Sequence, residues 1–278
     1  MSKASNVLKV QSAVATSKAV LDIQGLSIAF GGLKAVDDLW FSLKEGEVFG
    51  LIGPNGAGKT TAFNCITQFY KPTSGDIYFT DRNGKTHRLN DKKVHEIIDL
   101  GLVRTFQNVE LIRELSVLDN VLIGAHVRYS SSLFAQALRL PKYRREEKAQ
   151  REKALTILET LGIADRATFL VGGQPYGILK KVELARTLMS NPRLIILDEP
   201  AAGLNDVETL ELASRIRGIR DQLGCSVLLV EHDMRLVMDV CDRICAINFG
   251  KFLAIGTPKE IQANPAVQVA YLGLEVTV

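Results

Sequence analysis

The stretch Gly53-Pro54-Asn55-Gly56-Ala57-Gly58-Lys59-Thr60 limits what this chain can fold into more than any other segment. It matches G-x-x-x-x-G-K-[ST] and lies between an apolar run, "VFGLIG", and a segment with helical spacing, "KTTAFNCITQF", so it predicts a strand, a tight loop and a helix in succession. Backbone N–H groups converge on phosphate oxygens only where the chain turns without side chains in the way, which glycine permits. The helix that follows directs its positive end at the same anion. Lys59 is placed to reach the β- and γ-phosphates, Thr60 to offer its hydroxyl to Mg2+, and Thr61 to line the α-phosphate side. A turn with a chance lysine is the bland alternative. Such a match arises about once in 100 chains of this length, and the flanking strand and helix favour nucleotide binding.

A second segment supports the first. Leu194-Ile195-Ile196-Leu197-Asp198-Glu199-Pro200 is an apolar strand that ends in adjacent carboxylates, and in a parallel sheet the carboxyl ends of strands face the ligand crevice. Asp198 then suits hydrated Mg2+, and Glu199 suits an attacking water. A carboxylate spare for water points to hydrolysis rather than to simple nucleotide holding.

Around these motifs, "LDIQGLSIAF" and "LWFSLKEGEV" alternate as antiparallel strands do, and "GDIYFT" followed by Asn83-Gly84 and "HRLN" predicts another hairpin. Residues 133 to 161 are rich in charge and helix formers, with a break expected at Pro141. Beyond them "RLIILD", "CSVLLVE" and "RICAINFG" are short apolar runs separated by helical stretches, the pattern of a sheet with helices on both faces. The expectation is an α/β fold: a P-loop NTPase core of mostly parallel sheet flanked by helices, an N-terminal antiparallel β-subdomain and an α-helical subdomain over about 108–192. One domain is expected over 19–278, after a flexible tail, 1–18.

Composition narrows the partners. With 278 residues, 46% of them hydrophobic, a sizeable core is expected, and a formal charge of +3 gives no electrostatic case for nucleic acid. The four cysteines show no zinc spacing, which suits a reducing compartment. No apolar run approaches the roughly 20 residues that cross a bilayer, so a soluble chain is expected, whose membrane role would pass through another chain. The first 17 residues lack a signal-peptide core, and their lack of arginine argues against a transit peptide. The helical section containing "KYRREEKAQREKAL" fits a solvated helix with i,i+4 ion pairs better than a regulator or lipid site.

From about Val20 to Gly273 the chain resembles the nucleotide-binding subunits of ATP-binding cassette (ABC) transporters. The resemblance places Gln107 of "RTFQN" at the glutamine that contacts Mg2+ and the attacking water, beside the groove for the membrane subunit. It places His232 of "LLVEHDM" at the histidine that touches the γ-phosphate, Phe30 at the aromatic that stacks on adenine, and Gly177 at the start of the signature helix. "FGGLKAVDDL", "GLVRTFQN", "YGILKKVELAR", "PAAGLN" and "VLLVEHDM" resemble the ATP-binding subunits of branched-chain amino-acid importers more closely; related urea or amide importers and lipid-related exporters share much of the pattern. A cassette ATPase that works without a permease is a further alternative, but such proteins usually carry a coiled coil or a second cassette in the same chain.

The resemblance implies ATP and Mg2+ as ligands, and a homo- or heterodimer with a second cassette ATPase. It also implies transmembrane permease subunits, an indirect solute-binding protein, no nucleic acid, and a peripheral place on the cytoplasmic face of a bacterial-type membrane. In such pairs each ATP lies between one chain's phosphate loop and the other chain's signature helix. Two departures stand out. Asn205 replaces the usual D-loop aspartate, so it can hydrogen-bond but not act as an anion. The Leu-Ser-Gly-Gly-Gln signature aligns with Gln174-Pro175-Tyr176-Gly177-Ile178, keeping only Gly177, with Tyr176 beside it. Pro175 has neither the hydroxyl nor the N–H of the family's serine.

Overall fold

The computed structural model of the protein describes residues 19–105, 110–125 and 141–272. The alternating N-terminal segment forms β1 (Ala19–Phe30) and β2 (Leu33–Lys44), joined at Gly31-Gly32. Gly31 has φ of 58°, a conformation glycine adopts without steric cost. β4 (Ser74–Thr80) and β5 (Thr86–Arg88) complete an antiparallel sheet in the order β2-β1-β4-β5. The Asn83-Gly84 hairpin falls where the sequence puts it.

The central sheet contains β3 (Val48–Ile52), β6 (Leu102–Arg104), β7 (Leu194–Asp198), β8 (Ser226–Val230), β9 (Arg243–Asn248) and β10 (Lys251–Gly256), in the order β10-β9-β3-β8-β7-β6. All its pairs are parallel except the β9–β10 hairpin. Every residue of β3 and β8 is buried, as expected of strands covered on both faces. β6 and β10 were not separately legible. Three residues carry little periodic signal, and "KFLAIG" resembles the runs around it.

Helices α1 (Lys59–Ile66), α2 (Val94–Leu100), α3 (Val117–Ile123), α4 (Pro141–Thr160), α5 (Tyr176–Leu188), α6 (Asp206–Leu223), α7 (Met234–Val240), α8 (Pro258–Gln262) and α9 (Pro265–Leu272) surround the sheets. α4 starts at the proline that the sequence reads as a break, and proline is well tolerated in a helix's first turn. The central sheet separates two cores. On one side Phe49, Leu51, Leu194, Ile196, Leu228 and Val230 pack with Phe41, Phe63 and Phe79 of the antiparallel layer and α1. On the other, Ile195, Leu197, Val227 and Leu229 pack with α3 to α7. Alternation along β7 and β8 assigns successive residues to opposite cores.

This topology fixes the site. Neighbouring parallel strands β3, β8, β7 and β6 end on one edge, where they release the phosphate loop, His232, Asp198-Glu199 and Thr105 respectively.

Candidate nucleotide site

The phosphate loop is held so closely that side chains are excluded at two of its glycines. A Cβ on Gly53 would strike the Ile247 carbonyl and approach Ala57 Cβ to 2.8 Å, and one on Gly58, at φ 99°, would strike the Ala35 carbonyl. Gly250 N–H donates to the Ala57 carbonyl at 2.9 Å, anchoring the loop to the β9–β10 hairpin. Pro54 is half-buried, and Asn55 and Gly56 are exposed at the loop's crest.

Lys59, the first residue of α1, is buried, and its ammonium donates to the carbonyls of Gly53 (2.6 Å) and Pro54 (3.2 Å). Burial lowers its pKa, against the opposing pull of Glu199, Glu231 and Asp198. The lysine thus spans the mouth of the loop. Thr60 is exposed and Thr61 half-buried on the same first turn.

Asp198 ends β7 beside Val230 of β8. Its pKa is pushed up to about 6, first by burial and then by the neighbouring Glu199, with Arg104 opposing, Glu231 adding and Lys59 opposing. Such a carboxylate gains from a nearby cation. Glu199 adopts φ of 46°, a left-handed conformation that costs a non-glycine residue about 1–2 kcal/mol. It is held there by its N–H donating to Val230 O (2.8 Å) and by Ala202 N–H donating to its carbonyl (3.1 Å). The carboxylate stands 3.7 Å from Nδ1 of the half-exposed His232.

Phe30 is about half exposed and meets Tyr70 edge to face, with ring centroids 5.3 Å apart. A cleft of about 550 Å³ separates the α5 start, Pro175 to Lys181, from Asp198 and Glu199. Pro175 is the N-cap of α5, with no side-chain cap. A Cβ on Gly177 would lie 3.1 Å from Glu208, so the glycine admits α6. Tyr176 is exposed, with the Lys180 ammonium 5.2 Å from its ring centre. Asn205 caps α6: its Oδ1 accepts from Glu208 N–H (3.0 Å), and Glu208 Oε2 accepts from Asn205 N–H (2.9 Å). Gln107 lies outside the described residues.

The family model for ABC transporters matches residues 36–202. That span holds the phosphate loop, the start of α5 and the acidic strand end. The chain belongs to the ABC transporter family. A second model, for branched-chain amino acid ATP-binding cassette transporters, matches residues 253–276 of the cassette. The cassette is 44% identical over 257 residues to the high-affinity branched-chain amino acid transport ATP-binding protein LivG of Salmonella typhimurium, covering 92% of this chain and 99% of that one. The corresponding protein BraF of Pseudomonas aeruginosa is 42% identical over 262 residues, with 92% and 99% covered. A solved structure of the ADP conformation of an ATP-binding cassette of an ABC transporter matches with a TM-score of 0.77 at 31% identity, covering 92% of this chain and 99% of that one.

The cassette's topology places the 53–61 segment, Asp198, Glu199 and His232 along one edge, with Tyr176 and Gly177 across the cleft from Asp198 and Glu199; Phe30 lies at the end of β1 against Tyr70, and Asn205 at the start of α6. Sequence reasoning missed Glu231, Lys180, Arg104 and Tyr70. Glu231 did leave a signal, a lone carboxylate at the end of the apolar run "VLLVE". Lys180 left none, because a lysine on a helix usually faces solvent. Arg104 packs 4.3 Å from the Phe69 ring centre and donates to Asn64 Oδ1 at 2.7 Å.

Proposed function

We propose that this chain is the ATP-hydrolysing subunit of an importer for branched-chain amino acids, working with separate permease subunits and a solute-binding protein. The observation that carries the reading is the meeting of a complete phosphate loop with Glu199 and His232 on one edge of the sheet. The names of the LivG and BraF relatives and the match at 253–276 favour the solute class.

In this reading ATP lies with adenine against Phe30, and its phosphates accept from backbone N–H groups of the 53–61 loop, Pro54 having none, and from Lys59. Glu199 orients a water and takes its proton as the water oxygen bonds to the γ-phosphorus. The bridging oxygen leaves with ADP, and inorganic phosphate is released. His232 and Gln107 complete the contacts to the γ-phosphate and water. Thr60, Asp198 and Gln107 would hold Mg2+. One hydroxyl, one carboxylate raised to about 6 by burial and then by the neighbouring Glu199, and phosphate oxygens form an oxygen donor set suited to that ion. Bound there, it neutralises charge on the phosphates.

Pairing with a second cassette, the same chain or another, places Tyr176, Gly177 and Asn205 against the partner's ATP. Among the described residues no helix is long and apolar enough to cross a membrane. Attachment to the cytoplasmic face through permease subunits is part of this reading, and the transport ATP-binding names of the LivG and BraF relatives support it. The deciding experiment isolates the assembled complex from native membranes and measures its ATPase activity with solute-loaded binding proteins. Stimulation by leucine-type ligands, lost on Glu199→Gln while nucleotide still binds, is the expected result. Stimulation by amides alone would overturn the solute class.

A further inference from the structure

Two charged side chains grip the segment that follows Glu199. Lys180, in the second turn of α5, donates to the carbonyl oxygens of Pro200 (3.2 Å) and Ala202 (2.5 Å). Glu231 is fully buried; its Oε1 accepts from Ala201 N–H (2.9 Å), and its Oε2 accepts from the N–H groups of His232 (2.7 Å) and Asp233 (3.2 Å). A buried carboxylate is costly unless its lone pairs are satisfied, and three backbone donors satisfy this one. Hydrogen bonds therefore run without a gap from α5 through Lys180, residues 200–202 and Glu231 to the backbone of His232. Glu199 has one covalent neighbour in that grip, Pro200, and its own carbonyl accepts from Ala202.

The geometry has a direction. α5 is the helix whose start would face the nucleotide of a paired cassette, whereas Glu199 and His232 face this chain's own nucleotide. A shift of α5 pulls on two carbonyls two residues apart, and Glu231 carries the same displacement to the turn that holds His232.

We propose that Lys180 and Glu231 are paired positioning residues that set Glu199 and His232 according to the place of α5, so that the helix serving one nucleotide governs hydrolysis of the other. This rests on the reading above that Glu199 and His232 act on ATP. Neither Lys180 nor Glu231 touches the reacting atoms, so their loss alters turnover and not nucleotide binding.

The test uses the purified full-length chain at one fixed concentration, with steady-state Mg-ATP hydrolysis and the affinity for a fluorescent ADP measured in parallel. Lys180→Met lowers kcat by about tenfold, with KM and ADP affinity within about twofold of the wild type. Lys180→Arg recovers activity to within about threefold, because a guanidinium also reaches two carbonyls. Glu231→Gln, whose amide nitrogen cannot accept, gives the same kcat loss, and the double variant is no worse than about the poorer single one. If Glu231→Gln fails to fold, the two Lys180 variants decide. Three results would overturn the proposal: unchanged kcat in Lys180→Met, a loss confined to KM or ADP affinity, or an arginine variant as impaired as the methionine one. Glu199→Gln is the reference. If it hydrolyses ATP normally, the underlying site reading fails, whereas a silent Glu199→Gln beside a fully active Lys180→Met sinks the coupling alone.

Discussion

At Pro175 one residue carries two opposed effects. As N-cap of α5 it offers no side-chain acceptor to the helix's first N–H groups, and serine there adds about 1 kcal/mol through capping. Proline in turn restricts the unfolded chain, an effect worth about 0.4–1 kcal/mol that serine forfeits. Pro175→Ser is thus expected to leave the thermal midpoint nearly unchanged. Its activity effect is separate, since a hydroxyl bonded to a charged phosphate contributes about 1.5–3 kcal/mol. The assembled complex should hydrolyse ATP faster with serine, and an unchanged ATPase rate would show that the composite site does without that hydroxyl. Asp198 gives a second expectation, in pH. Its folded-state pKa of about 6 lies above its ordinary value of 3.8, so between these values the folded protein holds a proton that the unfolded chain has lost. Stability from this group therefore rises as pH falls from above 6 towards 4, and its ionised form destabilises the nucleotide-free fold at neutral pH. Denaturation without nucleotide should find Asp198→Asn more stable than the wild type at about pH 8, with the gap narrowing at about pH 5 and closing only near about pH 4. Mg-nucleotide affinity of the wild type should weaken below about pH 6, because the proton must leave first.

Among the elements, α6 shows a role that the sequence does not announce. The family resemblance implies that Asn205 faces a partner. The structure adds that its Oδ1 is already engaged in capping α6, with Glu208 returning the bond. Asn205→Ala should cost about 1 kcal/mol of stability, whereas Asn205→Asp keeps the acceptor and adds charge favourable to the helix N-terminus. Equal melting losses for both variants would count against the capping role. The strong periodic segments were legible for the same local reason: β3, β7 and β8 are unbroken apolar runs, and the phosphate loop has a residue at each fixed spacing. What escaped was set by tertiary contact. Lys180 finds carbonyls only because α5 packs beside residues 200–202, and the three-residue β6 exists only because β7 offers it a ladder. Nothing within a few residues of either announces it.

Across the whole molecule, the question is whether the antiparallel layer and the central sheet unfold together. Their shared core joins β1, β2 and β4 to the inner face of the central strands, so neither can expose it alone. Polar ties close the rim. Arg243 donates to Glu47 Oε1 (2.5 Å), Glu47 Oε2 (2.9 Å) and the Ser42 carbonyl (2.8 Å). Arg193, 4% exposed, lies 3.1 Å from Glu45 and donates to the Asp81 carbonyl, while Arg82 donates to the Pro192 carbonyl at 2.6 Å. Glu45 is well exposed and can rehydrate, so Arg193→Ala is expected to cost about 2–3 kcal/mol, below the 3–5 kcal/mol typical of breaking a fully buried pair. Because the shared core is untouched, the loss should appear as one transition shifted down by several degrees. Calorimetry resolving two transitions in Arg193→Ala would instead mean that the side-chain ties, rather than the common apolar layer, make the two sheets one folding unit.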